Sequence, residues 1–202
     1  MNNLLEALQR NLGNVLTPEL VAGLLMASEE VKTPIDVESI PKTKHWGYAL
    51  AVERLEDVVS EIHPIHVAHW EETEVHRHGV PLNIDYEYMI NAERAGRFML
   101  FTVRSPDGEL VGNCMMYLTR STHTKKLVAE EDTIFIRKDH RKGRLGIKLI
   151  RYVEDVLRAF GVTEIRVTVK TVNRVGDLLQ GLGYRHTANQ LVKVLGDSND
   201  VQ

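Results

Sequence analysis

The sequence contains one cysteine, Cys114, in 202 residues. A single thiol excludes an internal disulfide and a cysteine-based metal cluster. Proline is scarce, at 6 residues, and aromatics make up only 6% of the chain. Those proportions exclude a proline-rich or collagen-like polymer. Charge of neither sign dominates, since 25 Lys and Arg stand against 28 Asp and Glu for a net charge of −3. Phosphate contacts supply most nonspecific nucleic-acid affinity and need a basic excess, so nucleic acid is disfavoured as a partner. No apolar run approaches the roughly 18 residues of a membrane-spanning helix. The start, Met1-Asn2-Asn3-Leu4-Leu5-Glu6, lacks the basic-then-apolar layout of a secretory signal. A cytoplasmic location is expected.

What remains is ordinary globular material, 43% hydrophobic and 26% charged, enough for a packed core. Residues 1–43 hold three basic and six acidic side chains, which accounts for the whole net charge. Leu4, Leu5, Leu8 and Leu12 recur at helical spacing, with Gly13 placed to end the helix. Thr17-Pro18-Glu19 reads as a capping residue followed by proline at the first helical position. Pro34 and Pro41 mark a linker. We therefore expect a helical extension over 1–43, most simply packed on the main domain, a domain over 44–196 and a loose tail over 197–202.

From Lys44 onward strand and helix patterns alternate. Strands are expected at 46–52, 97–104, 109–120, 127–136 and 163–170, with one or two closing strands over 184–195. Helices are expected at 53–73, mostly helical with Pro64 either in a first turn or making a break, and at 85–95, 143–160 and 172–182. Ser105-Pro106-Asp107-Gly108 makes an antiparallel hairpin of its flanking strands. This order implies an α/β mixed sheet, largely antiparallel, with one parallel crossover around the 143–160 helix.

The segment richest in chemistry is the 134–147 stretch. An apolar strand, Ile134-Phe135-Ile136, runs into a basic loop and then an amphipathic helix. From Arg137 to Arg151 there are seven Lys or Arg and one acidic residue. Gly143 and Gly146 let backbone approach a ligand, and a helix N-terminus offers unpaired N–H groups and partial positive charge. The loop fits a phosphate or pyrophosphate cradle; the plain alternative is a solvated basic helix start. It is neither a P-loop nor a GxGxxG fingerprint.

On these residues the chain resembles the GNAT N-acetyltransferase superfamily, whose acyl-CoA motif reads Gln/Arg-x-x-Gly-x-Gly/Ala. Arg141 and Gly146 fill its ends; Arg144 stands where the family prefers glycine, with Gly143 one place early. Element order over 44–195 agrees with the GNAT fold. The resemblance implies acetyl-CoA as acyl-donor co-substrate, an amine acceptor and an admissible homodimer. It implies cofactor binding by Ile134, Phe135, Ile136, Arg137, Arg141, Lys142, Gly143, Arg144, Leu145, Gly146 and, after the next strand, Asn173. Leu178-Leu179-Gln180-Gly181-Leu182-Gly183-Tyr184 resembles the family's closing motif, but the tyrosine often proposed as general acid is absent at Leu179 and Gln180. His69-Trp70-Glu71-Glu72, Gly108-Glu109-Leu110-Val111-Gly112 and Lys193-Val194-Leu195-Gly196 also resemble GNAT-like proteins of bacteriophages. That likeness would place the protein in a host cytoplasm and carries the competing reading of a non-catalytic structural or host-interaction protein.

Acetyl transfer to an amine needs a base for the amine proton and a donor for the developing oxyanion. The resemblance puts the base at Glu130, with Asp132 as a second carboxylate; a solvated acidic strand end is the plain alternative. Strict alternation would place Glu130, Asp132, Ile134 and Ile136 on one face and Glu131 on the other. A backbone N–H of residues 134–137 would serve the oxyanion. His63, His66, His69, His76 and His78 cluster in sequence, but no ordered ligand spacing such as His-Glu-x-x-His occurs, so no metal site is expected. His123, before the acidic strand, reads as a hairpin-loop residue. Trp46, Trp70, Tyr117 and Cys114 read as core or partly buried residues.

Overall fold

A two-residue turn starts the sheet. Strand β1 (Thr43–His45) pairs antiparallel with β2 (Tyr48–Glu53) through His45 opposite Tyr48. Trp46 and Gly47 form the turn at φ of 50° and 83°. Positive φ at both central residues is the geometry that matches hairpin twist. Trp46 is thus a turn residue, not the first strand residue that its apolar character suggests. The computed structural model describes residues 9–18, 20–21, 34–73, 81–170 and 175–193.

Helix α1 (Leu55–Thr73) follows. Its first N–H, on Leu55, donates to both carboxylate oxygens of buried Glu93, at 3.0 and 3.1 Å. Pro64 lies inside α1 and does not interrupt it. A break there is overridden because Leu55, Val58, Ile62 and Ile65 form one buried stripe on both sides of the proline, and packing of that stripe outweighs one lost ladder bond. Helix α2 (Tyr86–Arg94) begins at Asp85, whose side chain accepts from Tyr88 N at 2.9 Å.

Strands β3 (Phe98–Arg104), β4 (Leu110–Arg120) and β5 (Leu127–Ile136) extend the antiparallel sheet. The 105–108 turn closes through Ser105 N to Glu109 O at 2.8 Å, with Gly108 at φ 88°. Helix α3 (Leu145–Ala159) crosses over to β6 (Glu164–Arg166), which pairs parallel with β5. Gly161, at φ 80°, lies just beyond the end of α3. A short helix, α4 (Val175–Gly181), comes last. The sheet order is β1-β2-β3-β4-β5-β6, with one parallel pair. This is the mixed, largely antiparallel fold that the sequence implies.

The C-terminal third departs from expectation. The 163–170 strand shortens to three residues, and the described part of 184–195 forms no strand. Beyond Arg166 the chain leaves β5, and Thr168 N donates to the Glu131 carboxylate at 3.2 Å instead of to a strand carbonyl. So short a β6 gives later residues little edge to pair with, whatever their β propensity.

Two apolar layers flank the sheet. One, under α3, gathers Leu50, Phe101, Cys114, Leu149 and Leu157; the other, under α1 and α2, gathers Leu55, Ile62, Phe98, Leu100 and Phe135. In the extension, Thr17 Oγ1 accepts from Leu20 N at 3.2 Å, which is the expected cap, and Gly13 takes φ 87°. The rest of the two expected helices, and the tail, lie outside the described residues. Among the described residues no helix is long and apolar enough to cross a membrane.

Candidate functional site

The site begins at a bulge. β4 and β5 pair Met115 with Thr133 but Met116 with Glu131, so Asp132 is the extra residue. The bulge reverses side-chain parity. Glu131 opposes Met116 and Ile134 opposes Cys114, both partners in the layer under α3. Glu130 opposes Tyr117 and Thr133 opposes Met115, on the α1–α2 side with Phe135. The alternation expected from sequence is therefore corrected: Glu131 shares a face with Ile134 and Ile136, and Glu130 lies on the opposite one. A one-residue insertion flips everything beyond it.

The bulge also marks where the sheet opens. β6 pairs with β5 only as far as Glu130 opposite Arg166. Past that point no strand among the described residues lies beside the outer edge of β5. Arg137 N donates to Val111 O on β4 at 2.9 Å, so alternation turns the main-chain groups of Ile136 and Ile134 outward. The Ile136 carbonyl accepts from Arg141 Nε at 2.6 Å. A broad groove of about 2080 Å³ lies between α3 and the C-terminal segment beside β6, lined by Arg151, Glu154, Thr168, Leu179 and Tyr184.

The open edge leads into the start of α3. Gly143 and Arg144 both take φ 61°, consecutive left-handed residues. Arg144 is the N-cap residue and makes no side-chain cap. The first helical bond is Lys148 N to Arg144 O at 3.0 Å, so the N–H groups of Gly146 and Ile147 face out of the helix end. A Cβ on Gly146 would meet nothing within 4 Å. The family preference for glycine at position 144 has a physical reason here, because left-handed φ costs a residue with Cβ about 1–2 kcal/mol.

Side chains hold this loop from two sides. Arg141 makes a bidentate pair with Glu72 at the end of α1, at 2.7 and 2.8 Å, and its guanidinium lies 5.0 Å from the Phe135 ring centre. Hydrogen bonding from Arg141 holds the Glu72 carboxyl below its ordinary value. On the other side His45 Nε2 donates to Gly143 O at 2.7 Å, and the Tyr48 hydroxyl lies 2.9 Å from His140 Nδ1. Arg137 pairs with Glu109 and Asp139. Leu145 anchors the helix start in the core, and Lys142 is exposed. Asn173 lies outside the described residues.

Of the carboxylates, Glu130 pairs with Arg166 at 2.9 Å, and both are about half exposed. Tyr117, opposite Glu130, has its hydroxyl pushed up to about 12 by burial first and then by the charges of Asp132, Tyr88 and Asp85. It remains a neutral O–H donor at physiological pH. The sequence suggested only packing for Tyr117; its placement beside Glu130 comes from strand register. Glu72 was equally hidden as the partner of Arg141, because 69 residues separate them. Trp46, expected in the core or partly buried, is 74% exposed.

The histidines divide. His66 is buried with its Nδ1 2.9 Å from the Tyr86 hydroxyl. His69 meets the Phe135 ring at 5.4 Å. His76 and His78 lie outside the described residues. Among the described residues no three His, Cys, Asp or Glu side chains converge as a metal site. Cys114 is fully buried, and burial raises its thiol well above the ordinary value.

The site thus joins an open strand edge to a helix start that carries no side-chain cap. The sequence model of the Acetyltransferase (GNAT) family matches residues 55–184, and the chain belongs to that family. Several solved structures share the fold. A ribosomal-protein-alanine N-acetyltransferase from Brucella melitensis superposes with TM-score 0.58 at 19% identity, over 74% of this chain and 99% of that one. Glucosamine-6-phosphate N-acetyltransferase from Arabidopsis thaliana gives 0.56 at 10% identity, over 74% and 99%. An aminoglycoside acetyltransferase from an uncultured soil metagenomic sample gives 0.55 at 14% identity, over 74% and 95%. No curated protein matches the chain in sequence. The names of these structures point to unlike acceptors on one fold, so the acceptor must be argued from the site.

Proposed function

We propose that this acetyltransferase takes acetyl-CoA as donor and transfers acetyl to a primary amine by direct attack. The observation that carries the reading is the continuity of the open β5 edge with the uncapped, left-handed turn at the start of α3. The residues present fit the donor. The outward main-chain groups of Ile134 and the Ile136 N–H suit an amide-bearing pantetheine arm. The N–H groups of Gly146 and Ile147, with Arg141, Lys142 and Arg144 beside them, suit its pyrophosphate.

Glu130 accepts a proton from the incoming amine, directly or through water. Asp132 orients the amine or takes Glu130's part. The Ile134 N–H supports the oxygen of the carbonyl under attack. Tyr117, held neutral, supplies a proton to the departing thiolate, since Leu179 and Gln180 stand where the family often has a tyrosine. Glu130, Asp132 and Asp85 bring negative charge to the acceptor side, which favours a cationic amine. The setting we propose is cytoplasmic.

Calorimetric titration with acetyl-CoA tests the reading. Wild type should bind at micromolar Kd. Arg141→Ala should weaken binding about tenfold, the worth of a charge-assisted pair. Gly146→Trp should fold, given the open space before it, and bind no acetyl-CoA. Glu130→Gln should bind normally and lose 10²–10⁴-fold in kcat with an amine acceptor. Absence of binding by folded wild type at millimolar acetyl-CoA would overturn the proposal and favour a non-catalytic, phage-type interaction protein.

A further inference from the structure

Trp46 is 74% exposed at the tip of the β1–β2 hairpin, an unusual place for an indole. Two neighbours account for its buried part. One ring face stacks on His45, with centroids 5.3 Å apart and planes 12° from parallel. The Cε3–Cζ3 edge lies on Gly143, so closely that a Cβ there would come within 2.2 Å of it. The rest of the residue is open to solvent, 74% exposed, beside the left-handed turn of the helix start.

This position is fixed. His45 Nε2 donates to Gly143 O at 2.7 Å, which ties the hairpin to the loop. The Tyr152 hydroxyl donates to Pro41 O at 3.0 Å, tying α3 to the chain just before β1. Trp46 itself is held at φ 50° in a two-residue turn. A largely exposed ring held in place next to the helix start, with the unpaired N–H groups of Gly146 and Ile147 and the side chains of Lys142 and Arg144 close in the chain, has the parts of a nucleotide site: a stacking platform adjoining a phosphate cradle.

We propose that Trp46 stacks on the adenine of the donor and so makes the protein select a nucleotide-bearing acyl carrier over a bare phosphopantetheine one. This rests on the acetyl-CoA reading above. His45 sets the platform by stacking from behind, and glycine at position 143 is required because any side chain there would displace the indole.

The test compares two donors, acetyl-CoA and acetyl-4′-phosphopantetheine, which keeps the thioester arm and one phosphate and lacks the 3′-phospho-AMP portion. Kd is measured by calorimetry for wild type, Trp46→Ala and Trp46→Phe. Base–aromatic stacking predicts that Trp46→Ala weakens acetyl-CoA about 5- to 100-fold, leaves acetyl-4′-phosphopantetheine within about twofold, and is largely rescued by Trp46→Phe. Tryptophan fluorescence of wild type should be quenched by acetyl-CoA and not by the truncated donor, and Trp46→Phe should lose that quench. An equal loss for both donors would show that Trp46 only braces the loop, and an unchanged Kd would show no contact; either overturns the inference. Failure of wild type to bind both donors overturns the underlying acetyl-CoA reading instead.

Discussion

His66 shows how a single side chain couples the fold to pH. It is 4% exposed, and burial, with His69 and His63 adding to it, lowers its pKa to about 4. The unfolded chain would protonate it near 6.5. Between these values the unfolded state binds more protons, so stability rises with pH through that window and falls on acidification. The shift corresponds to about 3 kcal/mol lost between pH 7 and pH 4. Urea unfolding across that range should show this loss in wild type. In His66→Phe the same slope should be flatter by most of that amount, with some stability lost at pH 7 because the Tyr86 hydroxyl loses the closer of its two histidine partners, keeping His63 at 3.3 Å. A variant with the wild-type slope would place the acid sensitivity elsewhere. Glu93 works in the opposite direction, since burial raises its carboxyl pKa. The folded state then holds the proton more tightly, so Glu93 favours folding as pH falls through the window above its ordinary value.

At the scale of elements, α1 sets local propensity against packing. Pro64 sits mid-helix and its side chain is exposed. It removes one backbone donor and contributes no burial, so Pro64→Ala should stabilise the protein by about 2–3 kcal/mol. Chemical denaturation would read this as a raised midpoint at unchanged m-value; an unchanged or lowered midpoint would show that the proline bends α1 into its seat. The same competition decides what the sequence could show. Alternation, turn residues and glycine placement made β3, β4, β5, α2 and α3 legible, because each signal is local. The loop at 141–146 was legible for the same reason. The parity of β5 was not, because a bulge at Asp132 adds one residue without changing composition. The pairings Tyr117 with Glu130 and Glu72 with Arg141 were hidden because register and helix docking create them. Trp46 misled because hydrophobicity predicts burial while hairpin geometry put it at a tip.

For the whole molecule, the Glu72–Arg141 pair is the link that matters most, because it joins the last turn of α1 to the donor loop. α1 and α2 cover one face of the sheet and α3 the other, and the donor path proposed above runs between them along β5. Arg141 thus has two suitors, the Glu72 carboxylate it holds now and the pyrophosphate it would hold with donor bound. Both sites are about one-third exposed, so the pair adds at most about 1 kcal/mol to stability after solvent screening. Its effect on the donor is larger in proportion, because Glu72 places a negative charge beside an incoming polyanion and occupies the fork of the guanidinium. Glu72→Gln should therefore tighten acetyl-CoA several-fold, with the gain shrinking as salt screens the repulsion, while lowering Tm by only a few degrees. Acid should mimic the substitution in wild type. Glu72 is held low by Arg141, so its contribution to stability is lost only as pH falls through that depressed value, and acetyl-CoA affinity should rise over the same range. Calorimetry at two ionic strengths would decide the matter. A weaker Kd in Glu72→Gln would mean that Glu72 positions Arg141 for the donor rather than competing with it.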